Sequence, residues 1–136
     1  MREYALAQTA GLLKRLAKHI KQLEQASRDQ DADAIHDVRV AIRRLRECLR
    51  IFSKFYPDKT WKKVRRKLAE IMQYCGEVRD RDIALGLIAD AGVPDDSKLA
   101  GRLRKERREA DRNLRRELLR WQKSGLGREL KADLEA

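Results

Sequence analysis

The residues best suited to chemistry are a histidine and four arginines spaced by three and four: His36, Arg39, Arg43, Arg46 and Arg50. On a helix of 3.6 residues per turn they share an arc of roughly 80°, and successive groups stand about one turn, ~5.4 Å, apart. No acidic residue falls inside that arc. Like charges at i,i+4 repel by a few tenths of a kcal/mol per pair, so such a row suggests a polyanionic partner that removes the repulsion. Arginine suits the task because a planar guanidinium donates bidentately and stays charged at all physiological pH. The competing reading is a set of salt bridges, with Glu47, Glu70 or Glu77 as acceptors.

The elements that must position these groups are helical. Ile35, Val38, Ile42, Leu45, Leu49 and Phe52 form an apolar stripe beside the basic one, which predicts a helix packed by one face. Asp31 and Asp33 favour its positive end, and the pattern runs to about Tyr56 before Pro57. A helix before it carries Leu6, Leu13, Leu16, Ile20 and Leu23 and ends near Ser27. Asp58 or Thr60 is the expected cap of a third helix, with Trp61, Val64, Leu68, Ile71 and Cys75 on its face. Gly76 is expected to break or bend it. A fourth helix, from Glu77 to about Ala91, carries Val78, Ile83, Leu85, Leu87 and Ile88.

Gly92-Val93-Pro94-Asp95-Asp96-Ser97 is the clearest loop. An arginine-rich helix follows from about Lys98 to Lys123, with Leu99, Leu103, Ala110, Leu114, Leu118 and Trp121 on its apolar side. Ser124-Gly125 ends it, and Leu126 to Ala136 adds a short terminal helix. No alternating strand pattern, internal repeat or low-complexity linker is present. The expected fold is therefore all-α: one domain over 1–136, an antiparallel bundle of about five or six helices.

Composition sets the class of partner. The chain has 136 residues, 40% of them charged, and 33 Lys+Arg against 22 Asp+Glu give a net charge of +11. That charge predicts attraction to nucleic acid, an anionic membrane or an inorganic polyanion. No apolar run approaches the ~20 residues that span a bilayer, so no membrane insertion is expected. Cys48 and Cys75 lie outside any CxxC pair, which predicts buried free thiols in a reducing cytoplasm.

The stretch His36-Asp37-Val38-Arg39-Val40-Ala41-Ile42-Arg43-Arg44-Leu45-Arg46, followed by Leu49-Arg50-Ile51-Phe52, resembles the signature of the CHAD family, the conserved-histidine α-helical domain. Gly76-Glu77-Val78-Arg79-Asp80-Arg81-Asp82-Ile83 is similar to its second block. The resemblance implies a helical fold that binds inorganic polyphosphate in a basic groove or cavity, with His36, Arg39, Arg43, Arg46 and Arg50 as ligand contacts. It also marks Arg79, Asp80 and Asp82 as characteristic residues, read here as organising interhelical ion pairs that aim the arginines. A typical member is about twice as long, with two related halves around a pseudo-twofold axis. This chain resembles the first half, to near Leu130, and a symmetric homodimer is the expected way to restore the whole.

His36 can donate to phosphate oxygens, more strongly once protonated beside a bound anion. Its bland alternative is a structural hydrogen bond at a helix start, and His19, without a partner motif, reads as a surface histidine. On the arginine-rich helix Arg104, Arg108 and Arg115 come closest to sharing a face, which makes Arg104 and Arg108 second-wall candidates. Glu106, Glu109, Asp111 and Glu117 can pair with the remaining bases. The run Lys62, Lys63, Arg65, Arg66 and Lys67 reads as a solvated face. Asp80 and Asp82 do not share a helix face, and no zinc-ligand spacing, phosphate-cradling loop, HExxH pair or nucleophile elbow occurs.

The sequence thus points to polyphosphate capture without turnover, cofactor, metal or catalytic residue, in the cytoplasm or on polyphosphate granules. The alternative is a helical protein that binds nucleic acid without sequence preference. Two tryptophans, three tyrosines and two phenylalanines, several at core positions, leave few rings for stacking on bases.

Overall fold

The computed structural model describes residues 1–135, without the side chain of Asp58. Five α-helices and one 3-10 turn make up the regular structure, and no strand occurs among the described residues. They are α1 (Arg2–Gln25), α2 (Ala32–Ile51), α3 (Asp58–Asp90), α4 (Lys98–Ser124) and α5 (Leu126–Glu135), with the 3-10 turn at Ser53–Phe55. The all-α bundle expected from the sequence is therefore what forms.

The side-chain contacts fix its topology. Thr9 on α1 meets Cys48 and the Tyr56 hydroxyl just beyond α2, whereas His19 shares a cleft with His36 at the other end, so α1 and α2 are antiparallel. Lys67 pairs with Glu117, and Asp82 with Arg107, which makes α3 and α4 antiparallel as well. α2 packs along α3, and α5 closes one end against α1 and α3. Leu16, Ile20, Leu23, Val38, Ile42, Leu45, Leu49, Val64, Leu68, Ile71, Leu114 and Leu118 fill the interior. Each such side chain contributes roughly 1.5–3 kcal/mol through burial.

Three boundaries depart from the local reading. Gly76 neither breaks nor bends out a new helix, and α3 runs 33 residues without interruption. A helical glycine costs about 1 kcal/mol relative to alanine. Val64, Leu68, Ile71, Cys75 and Val78, all fully buried, form one continuous face across it, and that packing outweighs the local cost. The second helix stops at Ile51 rather than Tyr56. Tyr56 precedes a proline and is extended (φ −101°, ψ 142°), the conformation that residue is pushed toward. Its ring is thereby brought inward, with its hydroxyl 2.6 Å from Thr9 Oγ1.

The expected cap of α3 also differs, because Pro57 occupies the N-cap position. The Asp58 side chain lies outside the described residues. Thr60 is buried inside the first turn and donates to Glu129 Oε1 at 3.5 Å. Ile83 and Leu87, expected on an apolar face, are 48% and 64% exposed.

Other ends follow local chemistry. Gly92 (φ 82°) ends α3, with Val93 N–H donating to Ile88 O and Gly92 N–H to Ala89 O, the double bond that caps a helix through a left-handed residue. Ser97 Oγ accepts from Ala100 N–H at 3.1 Å to start α4, and Gly125 (φ 69°) ends it. The terminal helix is described to Glu135; its expected last residue, Ala136, lies outside the described residues. Cys48 and Cys75 are buried free thiols, and burial pushes the Cys75 thiol up to about 12.

Candidate polyanion-binding cleft

The basic face of α2 opens onto the C-terminal half of α3. His36, Arg39 and Arg43 from α2 and Arg79, Asp82 and Ile83 from α3 line a cleft of about 440 Å³ whose floor is Ile35 and Val78. An adjoining hollow of about 230 Å³ shares Ala32 and Asp82 with it and adds Arg28, Arg104, Arg107 and Arg108 together with one further carboxylate, Asp29. Three guanidinium groups in the main cleft thus face one carboxylate. That carboxylate is already engaged: Arg107 grips Asp82 with Nε to Oδ1 at 3.0 Å and Nη2 to Oδ2 at 3.3 Å.

Among the described residues, Arg39, Arg43, Arg46 and Arg79 have no carboxylate within ion-pair distance. The salt-bridge reading holds at one end of the row, where Glu47 binds Arg50, while Glu70 is taken by Lys67 outside it. Arg39 Nε and Arg46 Nε are moreover buried without a hydrogen-bond partner. An unpaired buried donor of this kind costs about 1–3 kcal/mol, and native structures carry few of them without a reason.

The predicted residues divide as follows. His36, Arg39, Arg43, Arg79 and Asp82 come together in the main cleft, while Arg104 and Arg108 line the adjoining hollow. Arg104 also donates through Nη2 to the carbonyl of Asp95, which holds the group without neutralising it. Arg46 follows Arg39 by seven residues, hence on nearly the same face, but lies outside both hollows. Arg50 is exposed and bound to Glu47, with Nη2 to Oε2 at 3.0 Å. Asp80 is exposed and lines neither hollow.

Beneath the cleft lies a buried ion cluster that local sequence spacing did not reveal. Asp31, at 0% exposure, receives Arg107 Nη2 on Oδ1 and Arg115 Nη2 on Oδ2, the latter at 2.7 Å. Arg115 also donates through Nε to Asp111 Oδ2 at 3.0 Å and through Nη1 to the Leu23 carbonyl. Arg107 donates to the Arg28 carbonyl at 2.8 Å. Asp31, Arg107 and Arg115 together link α1, α2, α3 and α4, and Arg115 is an interior group rather than a third member of the Arg104–Arg108 face.

Burial and hydrogen bonding oppose each other in this cluster. Burial raises the Asp31 pKa, but the neighbouring Asp111 carboxyl and the hydrogen bonds from Arg107 and Arg115 outweigh it, so Asp31 stays ionised. Burial, reinforced by neighbouring Asp31, pushes Asp111 up to about 6. Burial works against the Arg107 charge, yet bonds to Asp82 and Asp31 raise its pKa overall. Arg107 thereby ties the cleft's only carboxylate to the interior.

Residues 10–136 match the CHAD domain, and the chain belongs to that family. Neither the comparison with curated proteins nor that with solved structures finds a match. Among the described residues no group of histidine, cysteine, aspartate and glutamate is arranged to hold a metal ion. No described helix is long and apolar enough to cross a membrane.

Proposed function

We propose that this protein captures inorganic polyphosphate in the α2–α3 cleft, by multivalent charge pairing and hydrogen bonding, without turnover. The observation that carries the reading is the convergence of Arg39, Arg43 and Arg79 with His36 around a carboxylate already held by Arg107. These groups share a cleft without neutralising one another, and membership of the CHAD family supports the same ligand. Guanidinium groups one turn, ~5.4 Å, apart can each take up a phosphate oxyanion of a flexible chain, with phosphate units left between them. Arg104 and Arg108 extend the track along α4, and Arg46 extends it along α2. Asp82, through Arg107, fixes the far wall.

The cleft is open on one side, with Ile83 exposed at its rim. A second copy of the chain, related by a twofold axis, would close it; molar mass in solution with and without polyphosphate tests this part of the reading. The binding reading itself is tested by calorimetric titration of long-chain polyphosphate into the wild type and Arg43→Gln/Arg79→Gln. Both positions are exposed, so the variant should keep its helical circular dichroism while its affinity falls at least tenfold. Unchanged affinity with intact helices would remove the cleft from the account.

A further inference from the structure

His36 lines a second cleft as well as the first. On the opposite side of α2, about 350 Å³ lies open between α1 and α2, with Arg15 and His19 from α1 facing His36, Asp37 and Arg44 from α2. The helix itself dictates this division. At 100° per residue, Arg39 and Arg43 stand roughly 60° and 20° to one side of His36, while Val40 and Arg44 stand roughly 40° and 80° to the other. His36 is thus the ridge between two hollows, and adjacent residues 43 and 44 place a guanidinium on each flank.

The second hollow has the properties of an anion site. Arg15 and Arg44 have no ion-pair or hydrogen-bond partner among the described residues, and Asp37 is the only carboxylate lining the space. His19 Nδ1 lies 3.1 Å from Gln22 Oε1. That oxygen only accepts, so Nδ1 is the donor of the pair, and Nε2 has no hydrogen-bond partner among the described residues. Arg15 and His19 are four residues apart on α1, and His36 and Arg44 eight apart on α2, so both walls present their groups along the axis. The dispersed bases of α4 differ, because they point around much of their helix.

We propose that the α1–α2 cleft is a second phosphate-binding subsite, in which Arg15, His19 and Arg44 take a further stretch of the polyphosphate that crosses α2 at His36. The inference rests on polyphosphate binding in the first cleft and adds a dependence on chain length. A short oligophosphate occupies one hollow. A long chain spans the ridge and gains the second contact as an intramolecular step, at a high effective concentration.

The test compares tripolyphosphate with long-chain polyphosphate, by calorimetry at one fixed salt concentration. The proteins are wild type, Arg15→Gln/Arg44→Gln, Arg43→Gln/Arg79→Gln, and the charge-matched control Arg112→Gln/Arg116→Gln on α4. The α1–α2 variant is expected to bind tripolyphosphate within about twofold of wild type and long-chain polyphosphate roughly tenfold or more weaker. The control should change the long-chain affinity far less. His19 and His36 are the only histidines in the chain, so the two imidazole signals in an NMR spectrum give an independent reading. The His19 signal should move with the long chain and stay still with tripolyphosphate.

Equal long-chain affinity in the α1–α2 variant and wild type would overturn the subsite, as would an equal loss in the α4 control. If instead the long chain is lost only from the α1–α2 variant and kept by Arg43→Gln/Arg79→Gln, the first-cleft reading fails and the second cleft stands. Wild-type protein that binds neither phosphate overturns both.

Discussion

Replacing Asp111 by asparagine should make the protein more stable as the pH rises, relative to wild type. Asp111 is 1% exposed; its Oδ2 accepts from Arg115, while its Oδ1 is buried without a partner beside ionised Asp31. Burial and Asp31 lift it from the ordinary 3.8 to about 6. A carboxyl raised in the folded state contributes stability that is fully present below its unfolded pKa and lost as the pH climbs through its folded pKa. The gap corresponds to roughly 3 kcal/mol of resistance to ionisation, most of it expressed between about pH 4 and 7. Asparagine stays neutral throughout and can donate to Asp31 through its amide.

Denaturant melts followed by circular dichroism at pH 4.0, 5.0, 6.0 and 7.5, at constant ionic strength, give the difference between variant and wild type. Titrations common to both proteins cancel in that difference. It should shift by about 2–3 kcal/mol in favour of Asp111→Asn across the series. A flat difference, or one that moves toward the wild type as the pH rises, would refute the reasoning. The latter is the behaviour of an aspartate that strengthens the fold by ionising. The companion Asp31→Asn should instead cost about 3–5 kcal/mol near neutrality, because it removes the charge shared by two largely buried guanidinium groups and sets an NH2 donor against one of them.

Further outcomes follow from the same contacts. Arg39→Leu removes an unsatisfied buried donor, so its melting temperature should equal or exceed that of wild type while polyphosphate affinity falls; a large drop in melting temperature with affinity retained would make Arg39 structural. Gly76→Ala should raise stability by about 0.5–1 kcal/mol, since beyond its chain neighbours and the backbone of its own helix no atom lies within 4 Å of the added methyl carbon, and a loss in urea melts would show that the helix needs the glycine. Polyphosphate affinity should fall steeply with salt, and Arg43→Gln should reduce the slope of log K against log salt by about one, as loss of one phosphate contact requires; an unchanged slope would place Arg43 outside the contact set.

Much of the fold was legible because its signals are local. The apolar stripe of α2, the serine that opens α4 and the glycines that close α3 and α4 each act within one or two turns. Gly76 was misleading for the converse reason: a penalty of about 1 kcal/mol is visible in sequence, whereas the unbroken core face that offsets it exists only once α3 packs.

At the site, the shared arc of His36, Arg39 and Arg43 is helical arithmetic. Which of the many bases on α4 point inward is not. Arg107 and Arg115 meet Asp31 across 76 and 84 residues of chain, a pairing no spacing rule encodes. His19 carried no motif because, apart from Leu12 and Arg15, the residues that line its cleft lie on another helix. Asp31, read as a favourable group at a helix start, holds that position and also accepts from Arg107 and Arg115 of α4, which in turn reach Asp82 on α3 and the Leu23 carbonyl on α1.

A shaped arginine cleft and a generally basic surface differ most directly in competition. The decisive measurement is titration with long-chain polyphosphate in the presence of excess single- and double-stranded DNA, at fixed near-physiological salt. Polyphosphate retained against the DNA is the predicted result. DNA that binds equally or more tightly would contradict the cleft and leave a general affinity for nucleic-acid backbones in its place.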